Sequence, residues 1–320
     1  MARLTELPLA AAQTLGAAFS VSLASVEPLD AGSVNSNFLL TAQDGGRYFA
    51  RVYEEQDAAG AAREHALAKG LAREAVPLAR GLETAEGNTI VLHGGKPFAM
   101  FPWLDGEILC QARVTPPACM RLGAALARVH LTSSKVEPLG VGRFELPNLR
   151  ARLETVEAAG RPDLMPAVAQ IRERLAFYEA RRDTSLEQGI CHGDLFRDNV
   201  LWQNGEILAL LDFESACSQN FAYDLMVTAL AWCYGAQFEL GLLRALFGGY
   251  RAFRPLSPAE VSALPVEGAI ACLRFATTRL TDFSLRAAPG AEPSRDYRRF
   301  LERLSALESG VLAPCFAELG

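Results

Sequence analysis

The stretch Ile190-Cys191-His192-Gly193-Asp194-Leu195-Phe196-Arg197-Asp198-Asn199-Val200-Leu201, joined eleven residues on by Asp212-Phe213-Glu214, decides how the rest of this chain is read. Residues 200–202 and 207–211 are short apolar runs on either side of Gln203-Asn204-Gly205-Glu206, and Asn-Gly between apolar runs is the strongest short hairpin signal. Closing that hairpin sets the loop before its first strand beside the residues after its second, so Asn199 and Asp212 are expected side by side. Two hard oxygen ligands in that arrangement, with water and phosphate filling the other octahedral positions, suit Mg2+.

Asp194 precedes Asn199 by five residues, the interval between the Asp and Asn of the His-Arg-Asp-x-x-x-x-Asn catalytic loop of protein kinases. A carboxylate there can accept a hydroxyl proton and hold that oxygen in line with the γ-phosphate of ATP. An isolated His-x-Asp is commonly a capped turn; an Asp, an Asn at +5 and a second Asp after a hairpin are much rarer together. The combination points to ATP-dependent phosphoryl transfer to an alcohol, with Asp194 as base. His192 reads as a hydrogen-bonder that fixes the loop, and Asp224 as its anchor from below.

Composition agrees. A chain of 320 residues exceeds the usual single-core size, so two lobes sharing a cleft are expected. Half the residues are hydrophobic and 21% charged, the profile of a soluble globular protein. The net charge of −6 argues against a nucleic-acid partner, which would need a clustered basic surface. Seven cysteines, scattered with no Cys-x-x-Cys pair, read as reduced core thiols, and the four histidines lack zinc-site spacing. The N-terminus has no long apolar core, and the uncharged run around 225–238 is too short to span a bilayer. A cytoplasmic protein with a small-molecule substrate and no membrane partner is expected; the sequence does not fix its oligomeric state.

From about 21 to 101 the texture is strand-like. Residues 37–42 and 47–53 flank Gln43-Asp44-Gly45-Gly46, and 89–93 and 96–101 flank Gly94-Gly95, which predicts two hairpins with a helix over 58–73 between them. After Pro102-Trp103-Leu104-Asp105-Gly106 long helices take over, the first opened by Thr115-Pro116-Pro117. Further helices are predicted over 163–182, 223–232, 239–253, 258–283 with a break near Pro265, and 297–316. The fold class is thus α+β: a small nucleotide-binding lobe with an antiparallel sheet and one helix (1–103), and a larger, mainly helical catalytic and substrate-binding lobe (104–320).

In the first lobe, Asp30-Ala31-Gly32-Ser33-Val34-Asn35-Ser36-Asn37-Phe38 is the candidate phosphate-covering loop, with Gly32, Ser33 and Asn37 as its contacts. The lysine that grips the α- and β-phosphates in kinases is missing, since the chain's lysines are Lys69, Lys96 and Lys135. Arg51 takes its place, able to contact phosphate bidentately but larger and held differently. Glu64 in the following helix is placed to orient Arg51, and Met100 in Phe98-Ala99-Met100-Phe101-Pro102 to offer apolar surface to adenine.

His192-Gly193-Asp194-Leu195-Phe196-Arg197-Asp198-Asn199 and Leu211-Asp212-Phe213-Glu214 resemble the motifs of the family that includes aminoglycoside phosphotransferases and choline kinases, which have a two-lobe protein-kinase-like fold. Within it, Asn35-Ser36-Asn37-Phe38, Tyr223-Asp224-Leu225 with Trp232-Cys233, and Ala271-Cys272-Leu273-Arg274-Phe275 with Arg279-Leu280 resemble bacterial homoserine kinases. That resemblance implies transfer of the ATP γ-phosphate to L-homoserine, with Asp194 as base and Asn199 and Asp212 as Mg2+ ligands. A zwitterionic acceptor needs a cation for its carboxylate and an acid for its ammonium. Arg197, Arg274 and Arg279 are candidates for the first, Glu214 and Asp30 for the second. Another small alcohol (choline or ethanolamine, methylthioribose, an aminoglycoside) is the competing substrate reading. A kinase-like nucleotide-binding module without turnover is a third, against which all of Asp194, Asn199 and Asp212 are present. No Ala-Pro-Glu segment follows Asp212, which disfavours a protein kinase.

Overall fold

The computed structural model describes residues 5–30 and 34–319, and the chain gathers into two compact units. The first holds the chain up to Glu107 together with Leu201–Asn204 and Leu208–Glu214; the second holds Ile108–Val200, Gly205–Ile207 and the chain from Ser215 on.

The first unit runs α1 (Leu9–Ala18), β1 (Leu23–Leu29), β2 (Ser36–Ala42), β3 (Arg47–Val52), α2 (Ala58–Arg73), β4 (Val91–His93) and β5 (Lys96–Pro102). The strands form one antiparallel sheet in the order β1-β2-β3-β5-β4. Both predicted hairpins are present, and α2 spans the predicted residues, with Asp57 accepting from the Gly60 amide at 2.7 Å as its N-cap. Strand alternation gives the sheet two apolar faces. Phe38, Leu40, Ala50, Phe98 and Met100 pack with Leu15 and Phe19 on one, and Tyr53, Ala61 and Ala99 cluster on the other. Helix α1 and strand β1 are additions to the predicted order; α1 has no side-chain N-cap and no charged residue in its end turns to announce it.

The remaining elements are α3 (Pro116–Leu131), α4 (Leu146–Ala158), α5 (Met165–Glu179), β6 (Gln188–Cys191), β7 (Val200–Gln203), β8 (Glu206–Leu210), β9 (Cys217–Asn220), α6 (Phe221–Trp232), α7 (Leu240–Arg251), α8 (Pro258–Arg279), α9 (Arg298–Glu308) and α10 (Ala313–Ala317). The expected hairpin is β7–β8, turned through Asn204 and Gly205 at φ of +51° and +78°. Two successive positive φ values are what a type I′ turn demands, which is why Asn-Gly sits there. Strand β6 pairs antiparallel with β9, setting Cys191 opposite Cys217.

Two helix predictions change. Helix α8 continues through Pro265 without the expected break; a Ser257–Glu260 capping box starts it, and 15 of its residues are buried, more than enough packing to outweigh one lost backbone hydrogen bond. It ends in a π-type turn over Leu280–Ser284, with the Leu285 amide on the Leu280 carbonyl at 2.9 Å. The predicted helix over 297–316 is instead α9 and α10, divided at Gly310, whose φ is +78°. Among the described residues no helix is long and apolar enough to cross a membrane.

Helices α3 and α7 meet through their main chains. A Cβ on Gly123 would stand 2.0 Å from the Leu246 carbonyl oxygen, and one on Gly249 1.9 Å from that of Met120. Gly123→Ala is therefore expected to force the two helices apart and cost about 3 kcal/mol or more, read as a lowered denaturant midpoint; an unchanged midpoint would show that the pair has room to slide.

Candidate active site

The loop after β6 is built around one buried carboxylate. Asp224 lies in the first turn of α6, a helix capped by Asn220, which accepts from the Tyr223 amide at 2.8 Å. The Asp224 side chain is fully buried; Oδ2 accepts from the His192 amide at 2.7 Å and Oδ1 from the Gly193 amide at 2.8 Å. His130 Nε2 adds a third contact at 3.0 Å, and its Nδ1 lies 2.7 Å from the Tyr250 hydroxyl. Since a carboxylate only accepts, His130 carries its proton on Nε2 and receives the tyrosine hydroxyl on Nδ1. Burial pulls the His130 pKa down and keeps the ring neutral. Burial also works to raise the Asp224 pKa, but His130, the charge contribution of His192 and the Gly193 amide together hold it below the ordinary carboxylate value.

Gly193 makes the turn at φ +73°, where a Cβ would meet the Ser215 carbonyl at 2.8 Å. His192 is fully buried and its Nδ1 faces the Asp194 amide at 3.3 Å, the loop-fixing role read from the sequence. Asn199 Nδ2 donates to the Asp194 carbonyl at 2.8 Å, and Trp232 Nε1 to that of Leu195 at 2.9 Å. The loop is thereby held at both ends, with the half-exposed Asp194 carboxylate presented from it.

Of the three arginines assigned to substrate, Arg274 stands at the base, with Nη1 3.3 Å from Asp194 Oδ1. Its guanidinium lies over the rings of Phe144 and Phe275, 4.0 and 3.7 Å from their centroids. Arg197 and Arg279 are held by other partners. Arg197 Nη1 donates to Gln111 Oε1 at 2.6 Å and to the Ala231 carbonyl, tying the loop to the end of α6. Arg279 donates to the Asp296 carbonyl at 3.0 Å and lies over Phe300; burial, with Arg303, Arg295 and Arg299 nearby, lowers its pKa to about 10.

In the first unit, Arg51 on β3 is register-paired with Asn37 on β2, whose Oδ1 accepts from its Nε at 3.2 Å. Its Nη1 lies 3.6 Å from Asp212 Oδ1. Lys69 pairs with Glu83 and Lys96 with Glu54, so neither lysine of this unit stands in for the missing phosphate-gripping one. The expected Arg51–Glu64 pair does not form as a direct ion pair: Arg51 turns to Asp212, and Glu64 Oε2 is buried with no hydrogen-bond partner. Asn35 joins two segments, accepting from the Glu54 amide at 3.1 Å and donating to Glu214 Oε2 at 3.3 Å. That contact spans 179 residues and has no local sequence signal. Met100 is fully buried among Leu40, Ala50 and Phe98, and its carbonyl accepts the Leu82 amide at 2.7 Å. Gly32 and Ser33 lie outside the described residues.

The two proposed metal ligands fit a hard cation. Asp212 sits at φ +61°, a backbone conformation costly for a residue with a Cβ, and its Oδ1 is buried with no hydrogen bond, the Arg51 contact being too long for one. Such an orphaned oxygen is what a divalent ion would satisfy. Asn199 spends its Nδ2 on the loop, leaving its Oδ1 as the oxygen donor. His130, Cys191 and Asp224 also come within 4.8 Å of one another, but His130 and Asp224 are already committed to the hydrogen bonds above.

The chain is similar to known proteins. The model of the phosphotransferase enzyme family matches residues 25–256. The chain is 36% identical over 273 residues to a homoserine kinase of Methylocella silvestris, covering 81% of each chain. It is 34% identical over 318 residues to a homoserine kinase of Methylobacterium radiotolerans, covering 95% of each. Among solved structures it is similar to an amicoumacin kinase in complex with AMP-PNP and Ca2+ (TM-score 0.67, 16% identity, 92% of each chain). A choline kinase from Cryptosporidium parvum is similar as well (TM-score 0.67, 12% identity, 91% of this chain and 90% of that one). These last two likenesses show the protein-kinase-like fold.

Burial raises the Glu64 pKa to about 7, with Arg51 pulling the other way. A carboxyl whose folded pKa lies above its unfolded value binds more protons folded than unfolded, so its contribution weakens as pH rises from about 4.5 to about 7. Denaturant unfolding without nucleotide or divalent ion is expected to show a decline between pH 5 and 8 that is smaller in Glu64→Gln. Parallel profiles for the two proteins would remove that assignment.

Proposed function

We propose, for a chain that belongs to the phosphotransferase enzyme family, that the hydroxyl it phosphorylates is that of L-homoserine, giving O-phospho-L-homoserine for threonine synthesis. Membership makes it an ATP-dependent phosphotransferase acting on a small-molecule alcohol. The homoserine reading rests on curated relatives of that name, 33–36% identical over most of the chain. Residues 1–103 would form the nucleotide lobe and 104–320 the catalytic lobe, working in the cytoplasm.

The observation that carries the mechanism is the placement of Asp194: a half-exposed carboxylate on a loop pinned by Asp224, with Arg274 beside it. Arg274 places a positive charge beside that carboxylate, with Nη1 3.3 Å from Oδ1. Asp194 accepts the proton of the acceptor hydroxyl as that oxygen bonds to the γ-phosphorus. The bond from the γ-phosphorus to the β–γ bridging oxygen breaks, and ADP leaves with its electron pair. Asn199 and Asp212 would hold Mg2+, which when bound neutralises charge on the β- and γ-phosphates. Arg51, oriented by Asn37, would grip the phosphates as a two-pronged donor, and Asn37 with Gly32 and Ser33 would belong to the phosphate loop. Glu64 would set the charge balance around Arg51, and Glu214, held by Asn35, would line the same region.

Asp194→Ala is expected to lower kcat by about 100-fold or more while ATP binding persists, because the base is lost and the nucleotide contacts are not; undiminished turnover would remove the mechanism. Arg51→Ala should raise the KM for ATP, and an unchanged value would assign the phosphate grip to another group. An ADP-release panel of homoserine, choline, methylthioribose and an aminoglycoside tests the acceptor, with homoserine expected to give the highest kcat/KM.

A further inference from the structure

Next to Asp194, within the second unit, a small cavity is lined by Phe144, Glu145, Gly193, Gln219, Tyr223 and Arg274. Its polar groups are held in place yet incompletely used. The Arg274 side chain is 4% exposed and flanked by Phe144 and Phe275, so its guanidinium has little freedom to swing away. Nη1 reaches Asp194, whereas Nε is buried without a partner and Nη2 has no acceptor among the described residues. A buried arginine with donors to spare is costly unless a ligand uses them.

Glu145 offers the opposite charge. Its Oε1 accepts from Gln219 Nε2 at 2.9 Å. Gln219 is itself fixed, because its Oε1 accepts from Arg182 Nη2 at 2.9 Å and from the Asn220 amide at 3.0 Å. Glu145 Oε2 and the Tyr223 hydroxyl have no hydrogen-bond partner among the described residues. Burial raises the Glu145 pKa, with Arg182 pulling the other way.

We propose that the residues around this cavity bind both charged groups of the acceptor, with Arg274 taking a carboxylate and Glu145, oriented by Gln219, taking an ammonium. The acceptor is then a compact hydroxy amino acid whose hydroxyl reaches Asp194, which deepens the homoserine reading and rests on it. Arg274 contacts both the base and the cavity, so one short molecule must offer its hydroxyl and its carboxylate to neighbouring atoms of the site. A quaternary ammonium would meet the Arg274 cation, and a polyamine would find one carboxylate for several charges.

The test compares kcat/KM, by ADP release, for L-homoserine, 4-hydroxybutanoate (no ammonium) and 3-aminopropan-1-ol (no carboxylate). The wild type should prefer homoserine to each by at least about tenfold, the worth of a charge-assisted hydrogen bond or more. Glu145→Gln should lose most of the preference over 4-hydroxybutanoate while keeping that over 3-aminopropan-1-ol. Arg274→Gln and Arg274→Lys should do the reverse; the ratio between acceptors is the readout because these changes also disturb Asp194. Should the Arg274 variants fail to fold, the Glu145→Gln ratios decide. Preferences in Glu145→Gln equal to those of the wild type overturn the pocket while leaving homoserine phosphorylation intact. No ADP release from any of the three alcohols with the wild type removes the homoserine reading and the pocket with it.

Discussion

A carboxylate with no exposure to water accepts two successive backbone amides, and the geometry of the loop that carries Asp194 follows from that. Asp224 cannot stay charged in the interior without donors, and the amides of His192 and Gly193 cannot turn inward without an acceptor. Each solves the other's problem, and His130 completes the set from α3. The consequence is a main-chain turn whose direction is set by electrostatics rather than by side-chain packing. Asp194, one residue further, inherits its aim.

Two carboxylates sit in contrasting environments. Around Asp194 the neighbouring charge is positive and the loop is locked. Around Asp212 a carboxylate oxygen is buried without a hydrogen bond, on a residue with left-handed backbone geometry. The first lies on a loop pinned by hydrogen bonds, while the second has a buried oxygen that lacks one.

Legibility in the sequence followed the range of the interactions. The Asn204-Gly205 turn, the α2 boundaries and the Thr115 cap are decided within a few residues and were readable. The roles of His192 and Asp224 were also readable, because a buried loop needs a nearby acceptor. Arg197, Arg274 and Arg279 could not be sorted, since their contacts are with Gln111, Phe144 and Asp296, outside the few residues that a local pattern reads. Met100 went to the core because strand alternation turns it toward Leu40 and Ala50, a face that the pattern Phe98-Ala99-Met100-Phe101, apolar throughout, does not distinguish. Glu145 carries no local mark at all: it becomes notable only through Gln219 and the cavity they share.

The contact between α3 and α7 has an evolutionary side. Most tight packing can be relieved by shrinking the neighbour, so that a larger side chain at one position is tolerated once its partner becomes smaller. Here the neighbours of Gly123 and Gly249 are peptide carbonyls, which no substitution can make smaller. Drift along this pair of helices is free on their outer faces and closed at these two points, and the closure extends to His130, which α3 delivers to Asp224.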